Sequence, residues 1–277
     1  MERQLLIGKT ILNDRTKNNR AYNGGYTMKR FIIICTMELK LFTREFFGFF
    51  FALVFPVLML VLFGSIYGNT PIYPGADAKV MDVSVPAYSV MVIGVTGLMS
   101  LPLTLSNCKE KKIYKRFDAT PVGKKNIISA QIFVNFLMTL VGICILIAAG
   151  KILYHIQIKG TFLSICICLL LSTAAMFSLG FLLTAIGRDL KSTNLLCYLF
   201  YFIMLFLSGA TMPDMLFPDT IKKISNLLPM THAVDLMQGA FAGESLTLHK
   251  MELLILGALT VICAAVGATL YSKKDWT

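Results

Sequence analysis

The sequence predicts an all-α polytopic membrane protein with six transmembrane helices. Three observations carry that prediction. Hydrophobic residues make up 56% of the chain and charged residues only 15%, where a soluble domain carries about 25% charge. Mean hydropathy is +0.70. The apolar residues also fall into blocks, each close to the ~20 residues a helix needs to cross a bilayer. A backbone in lipid must satisfy its own hydrogen bonds, so these blocks are helices; barrel strands are shorter and alternate.

Residues 1–27 are polar, contain Asn23-Gly24-Gly25, and are expected to be a disordered leader. Met28 reads as a second start, because everything after it is better organised. Gly8-Lys9-Thr10 ends like a phosphate-binding loop, but Arg3 stands where that motif needs a glycine. Nothing before Phe46 has the uncharged core of a secretory signal. Residues 28–42 place Ile33, Met37 and Leu41 on one helical face among Lys29, Arg30, Glu38 and Lys40. They fit a helix lying in the headgroup region, its basic side chains reaching water. A charged lead-in to the first span is the alternative.

The spans are read at 46–67, 85–105, 127–149, 162–186, 195–217 and 253–271. Pro56 should kink the first, and Pro102 falls near the end of the second. Gly209 and Pro213 should stop the fifth before its apolar run ends. Ala174 and Ser178 in the fourth span, and Ala264 and Ala268 in the sixth, are four apart and would let helices approach closely. Either intramolecular packing or a subunit interface accounts for them. Orientation follows from lysine and arginine. Residues 1–45, 106–126, 187–194 and 272–277 hold 20 of the 26; the connections on the other side hold six. The first side is expected to be cytoplasmic, with both termini. The net charge of +11 is thus read as topology and attraction to anionic lipid, not as nucleic-acid binding.

The side-chain inventory excludes several functions. The seven cysteines do not pair within any loop, so neither a disulfide nor a zinc site is expected. Cys166 and Cys168 read as small packing residues. His155, His232 and His249 are isolated, so no metal site and no cofactor are expected in this chain. No nucleophile–base set stands out, so the chain is not read as an enzyme. No Asp, Glu, Lys or Arg lies near the middle of a span. Carriers driven by ion gradients usually hold such groups there, though some sodium sites use only carbonyls and hydroxyls. Energy for uphill transport would come from another protein.

One loop suits that contact. Residues 107–126 carry seven basic side chains. From Lys109 to Phe117 the residues favour helix, Ile113 and Phe117 are four apart, and Pro121 with Gly123 ends the run. An exposed helix with an apolar pair suits a partner's groove. A basic loop that only fixes topology is the alternative.

Two stretches resemble the membrane subunit of type-2 ABC exporters. The first is Glu110-Lys-Lys-Ile-Tyr-Lys-Arg-Phe-Asp-Ala-Thr-Pro121, similar to the family's charged helix before a Leu-x-x-Thr-Pro-like sequence. Ile113 stands where glycine is common there, and Phe117 where leucine is common. The second is Leu207-Ser-Gly-Ala-Thr-Met-Pro213, with Leu228-Pro-Met-Thr-His232 after it, similar to the family's Ser-Gly-x-x-x-Pro and Leu-Pro-x-Thr-His. The resemblance covers about residues 28–271. It implies a permease subunit of an ATP-driven exporter. It would pair with a second permease copy, identical or not, and with cytoplasmic ATPase subunits that bind ATP and Mg. Residues 28–42 would be an interfacial elbow helix and 109–118 the coupling helix, with Glu110, Ile113, Phe117 and Pro121 facing the ATPase. Residues 218–243 would be short external re-entrant helices, forming a gate with Ser208, Gly209, Pro213, Pro229 and His232. Ile221, Ile224 and Leu228, then Val234, Met237 and Phe241, give two amphipathic segments around Pro229; an ordinary external loop is the alternative. The expected setting is a bacterial cell membrane, and the expected cargo amphipathic or lipid-like, such as a drug, antibiotic or antimicrobial peptide. The rivals are a gradient-driven carrier or channel without an ATPase, and a non-transporting scaffold or sensor.

Overall fold

The computed structural model describes residues 31–68, 70–72, 78–114, 123–211 and 217–274. These residues are helical apart from connections and one isolated bridge between Pro71 and Lys79. Residues 31–44 form α1. The spans are α2 (Phe46–Tyr67), α3 (Val80–Glu110), α4 (Gly123–Tyr154), α5 (Phe162–Ile186), α6 (Leu190–Leu207) and α9 (Lys250–Lys274). Among the described residues, these six are long and apolar enough to cross a membrane. Two short helices, α7 (Asp219–Ser225) and α8 (Pro229–Ala242), connect α6 to α9.

Several ends follow from local chemistry. Asp189 caps α6 by accepting from the Ser192 N–H at 2.9 Å. The same helix stops at Leu207, because Gly209 turns the chain at φ +79°. Thus the fifth apolar run, read as 195–217, is helical earlier and ends earlier. Pro229 opens α8 at its first turn and Gly243, at φ +84°, closes it.

α3 is the axis of the bundle. Its most apolar stretch is 89% buried, against 17% for α9 and 22% for α2. The helix is longer at both ends than the 85–105 read from apolarity. Its ends carry Asp82 and Lys109, which hydropathy penalises, while α3 is surrounded largely by protein. α8, which lies between the fifth and sixth spans, packs on α3 and α5, and α9 packs along α5.

Two prolines shape α2 and α3 in the same way. In α2 a widened π turn covers Phe50–Val54, and the Phe55 N–H bonds to the Phe50 carbonyl, five residues back. In α3 the π turn is Val95–Ser100, and the Leu101 N–H bonds to the Thr96 carbonyl. The next residue in each case is a proline, Pro56 or Pro102, which has no N–H to continue the series. The Gly97 carbonyl, next in line above Pro102, faces Gly180 of α5; a β-carbon there would collide with it. The two helices therefore touch backbone to backbone. The other small residues differ in role: Ser178 is buried, Ala174, Ala264 and Ala268 are exposed, and Gly267 packs against the Phe181 ring.

Glu45 sits at the joint of α1 and α2. A β-carbon on Gly48 would stand 3.5 Å from both the Glu45 Oε2 and the Ser100 Oγ, in ordinary contact with each. Burial pushes the Glu45 carboxyl up from its ordinary 4.5 to about 7.

Two predictions follow from this packing. Gly180→Ala should cost about 1–3 kcal/mol by forcing α5 off α3. Gly257→Ala, where nothing lies within 4 Å, should be neutral or slightly stabilising. Thermal unfolding of both variants in detergent checks this contrast. Glu45 also makes stability depend on pH. The folded chain holds the proton more tightly than the unfolded one. This contribution is therefore complete below pH 4.5 and is lost as pH rises to about 7. Glu45→Gln should flatten that part of the profile of melting temperature against pH.

Candidate functional site

The end of the bundle that carries the basic loop is built around one side chain, Gln131 of α4. It is fully buried. Its carbonyl oxygen accepts from the Tyr114 hydroxyl at 2.9 Å. Its amide nitrogen donates to Glu38 Oε1 of α1 at 3.1 Å and to Cys108 Sγ of α3 at 3.1 Å. One amide thus joins α1, α3, α4 and the start of the loop helix. Burial raises the Glu38 carboxyl above its ordinary range, and the bond from Gln131 partly offsets this. Burial likewise drives the Tyr114 phenol upward, so it keeps its proton and donates.

The polar face continues along α4. Asn135 donates to the Gln131 backbone carbonyl and Thr139 to that of Asn135, both at 2.9 Å. The Thr139 hydroxyl lies 2.7 Å from that of Thr96, inside the π turn of α3. Gln131, Asn135 and Thr139 are four residues apart, so they share one face. Sequence reading passed over them because the run around them is apolar; that spacing was the available signal.

The expected coupling residues occupy different positions. The helix expected over 109–118 is described only as far as Tyr114: α3 ends at Glu110, Lys112 takes the left-handed φ of +54°, and Ile113 and Tyr114 are helical. Glu110 accepts from the Leu190 N–H at 3.0 Å, at the start of α6, where a carboxylate is also favoured by the positive end of the helix dipole. Ile113 is half-buried against a cluster that includes Leu105, Tyr114 and Ile127. Phe117 and Pro121 lie outside the described residues.

At the opposite end, a cavity of about 560 Å³ opens between α2, α3 and the helices joining α6 to α9. Tyr67, Tyr88, Ser208, Gly209, Lys222 and Asp235 are among its walls. Two expected gate residues, Ser208 and Gly209, are therefore in it. Pro229 opens α8, and Pro213 lies outside the described residues. The two residues after Met230 hold α7 in place: Thr231 donates to the Ser225 carbonyl at 2.7 Å, and His232 Nε2 lies 3.0 Å from that of Asn226. Histidines that are isolated in sequence find company here. His232, Asp235 and Glu252 place one ligand atom each within 4.8 Å of the others, close enough for a metal ion to be considered. His249 lies beside Glu244 and Glu252.

Comparison with known proteins gives the family. Residues 29–242 match the family model "ABC-2 type transporter". The chain is also similar to Nodulation protein J of Sinorhizobium fredii (strain NBRC 101917 / NGR234), at 34% identity over 88 residues, 31% of this chain. It spans 34% of that relative's length. Six spans, two short helices before the last, and a family match over most of the chain agree: the chain belongs to the ABC-2 type transporter family and is a multi-pass membrane subunit of a transporter.

Proposed function

We propose that this chain is the permease of an ATP-driven exporter. It pairs with a second permease copy and with cytoplasmic ATPase subunits, which bind the ATP and Mg. The basic end faces the cytoplasm, as the excess of lysine and arginine there supports. The observation that carries the reading is the Gln131 joint. The loop best suited to meet an ATPase begins at Ile113 and Tyr114, and Tyr114 is hydrogen-bonded to the buried Gln131 of α4. A push on that loop thus reaches α3 and α4 directly. A ligand or nucleotide shifts such an equilibrium only through contacts that differ between two states; here the ATPase supplies them and Gln131 transmits them. The cargo is amphipathic or lipid-like, of the drug, antibiotic or antimicrobial-peptide kind. The cavity of about 560 Å³ supports this, because aromatic and aliphatic walls meet hydroxyls and one charge of each sign.

Two variants separate docking from transmission. Ile113 packs within the permease itself, so Phe117→Asp alone tests docking: it should release the ATPase in co-purification while the permease stays in the membrane, and retained binding would refute the docking site. Gln131→Leu should keep the ATPase bound. It should cut ATP-driven efflux from cells about tenfold, the scale of a lost coupling of ~1–3 kcal/mol. Unchanged efflux would refute the joint. Cargo movement in liposomes holding the chain without any ATPase would instead indicate a carrier or channel.

A further inference from the structure

We propose that His232, Asp235 and Glu252 bind one divalent transition-metal ion of the zinc class, holding α8 to the start of α9. His232 and Asp235 are three apart on α8 and share a face. Glu252 lies in the first turn of α9. Each offers one ligand atom, and the three atoms lie within 4.8 Å of one another. Small side-chain rotations bring such a set to the ~2.0–2.2 Å bonds of zinc to nitrogen and carboxylate oxygen.

The histidine carries the strongest argument. Its Nε2 lies 3.0 Å from the Asn226 carbonyl. A carbonyl only accepts, so Nε2 holds the proton and Nδ1 keeps its lone pair. Nδ1 is buried and has no hydrogen-bond partner among the described residues. Leaving such an acceptor unsatisfied is destabilising. A backbone carbonyl on one ring nitrogen with a free lone pair on the other is the arrangement that orients a metal-bound histidine. Nitrogen in the set favours zinc-like ions over calcium and magnesium, which take oxygen ligands.

An outer layer supports the set. His249 Nδ1 is 3.9 Å from Glu252 Oε2, and its Nε2 is 2.7 Å from Glu244 Oε2. Gly239 of α8 leaves the space His249 fills, since a β-carbon there would collide with that ring. Asp235 also lines the cavity. The ion would therefore sit in the cavity wall and fix α8, the helix closing that wall, against α9.

The test uses the purified full chain in detergent, with Zn²⁺ alone as the probe. Calorimetry should give one ion per chain, and zinc should raise the melting temperature. His232→Ala and Glu252→Gln should each weaken binding at least about tenfold and abolish the zinc-dependent rise; His249→Gln should weaken it less. If a variant fails to fold, Co²⁺ in the wild-type chain decides, through visible bands of nitrogen and oxygen ligation and imidazole signals in X-ray absorption. No zinc uptake by the wild-type chain would overturn the site. So would unchanged affinity in the folded variants, or a thiolate charge-transfer band placing the metal on cysteine.

Discussion

The bundle depends on one fully buried primary amide that meets three other side chains. Gln131 meets a phenol, a carboxyl and a thiol, from three other parts of the chain. Interhelical hydrogen bonds in membranes average only ~0.6 kcal/mol each, so the joint adds modestly to stability. Breaking it is another matter. Each partner left unsatisfied costs about 1–3 kcal/mol, and several would be stranded together. The arrangement is therefore weak as glue and strong as a constraint. It specifies where Tyr114 sits relative to α3 and α4, and it resists any movement that pulls Tyr114 away from α4 without carrying α4 along.

The second constraint is the backbone contact between α3 and α5. Most helix pairs meet through side chains, whose rotamers absorb small shifts. Gly97 and Gly180 leave no side chain between the two backbones. Dense contacts of this kind do not compress. The same stretch of α3 holds the π turn before Pro102, where regular hydrogen bonding is already interrupted. Rigid contact and broken ladder coincide, so α3 is held laterally at Gly97 while its axis bends most cheaply there.

Sequence made the spans legible because lipid selects apolar length. The runs at 46–67 and 162–186 have the bounds of α2 and α5. Legibility fell where protein replaces lipid as the surroundings. α3 extends beyond its apolar run through half-buried polar residues, Asp82 accepting from the Lys79 and Gln157 N–H groups, and a hydropathy reading takes Asp82 or Lys109 for a boundary. The stop at Gly209 was readable, since a left-handed glycine is a local signal. The polar face of α4 was not noticed, because three residues in a long apolar run barely change its average. The grouping of His232, Asp235 and Glu252 was hidden for another reason. It depends on a turn between α8 and α9 that brings positions twenty apart in number side by side, and no local pattern encodes that. The split between α3 and the turn at Ile113 rests on Lys112 in a left-handed conformation, which lysine rarely adopts and sequence does not announce.

These constraints connect the two ends of the molecule. α3 bears Cys108 at the Gln131 joint and Val80, Ala87 and Tyr88 in the cavity wall. A displacement at Cys108 has two outlets. If α3 moves as a rod, the cavity wall shifts with it, because burial on nearly every side leaves no slack. If α3 bends at Val95–Ser100, the displacement is taken up at the π turn, and the Thr96–Thr139 contact on α4 is strained instead. Both outlets involve α4, through Gln131 in one case and Thr139 in the other. Displacement at the basic end would thus reach the cavity only through the first outlet, and the polar residues of α4 lie at the points where the two helices are joined.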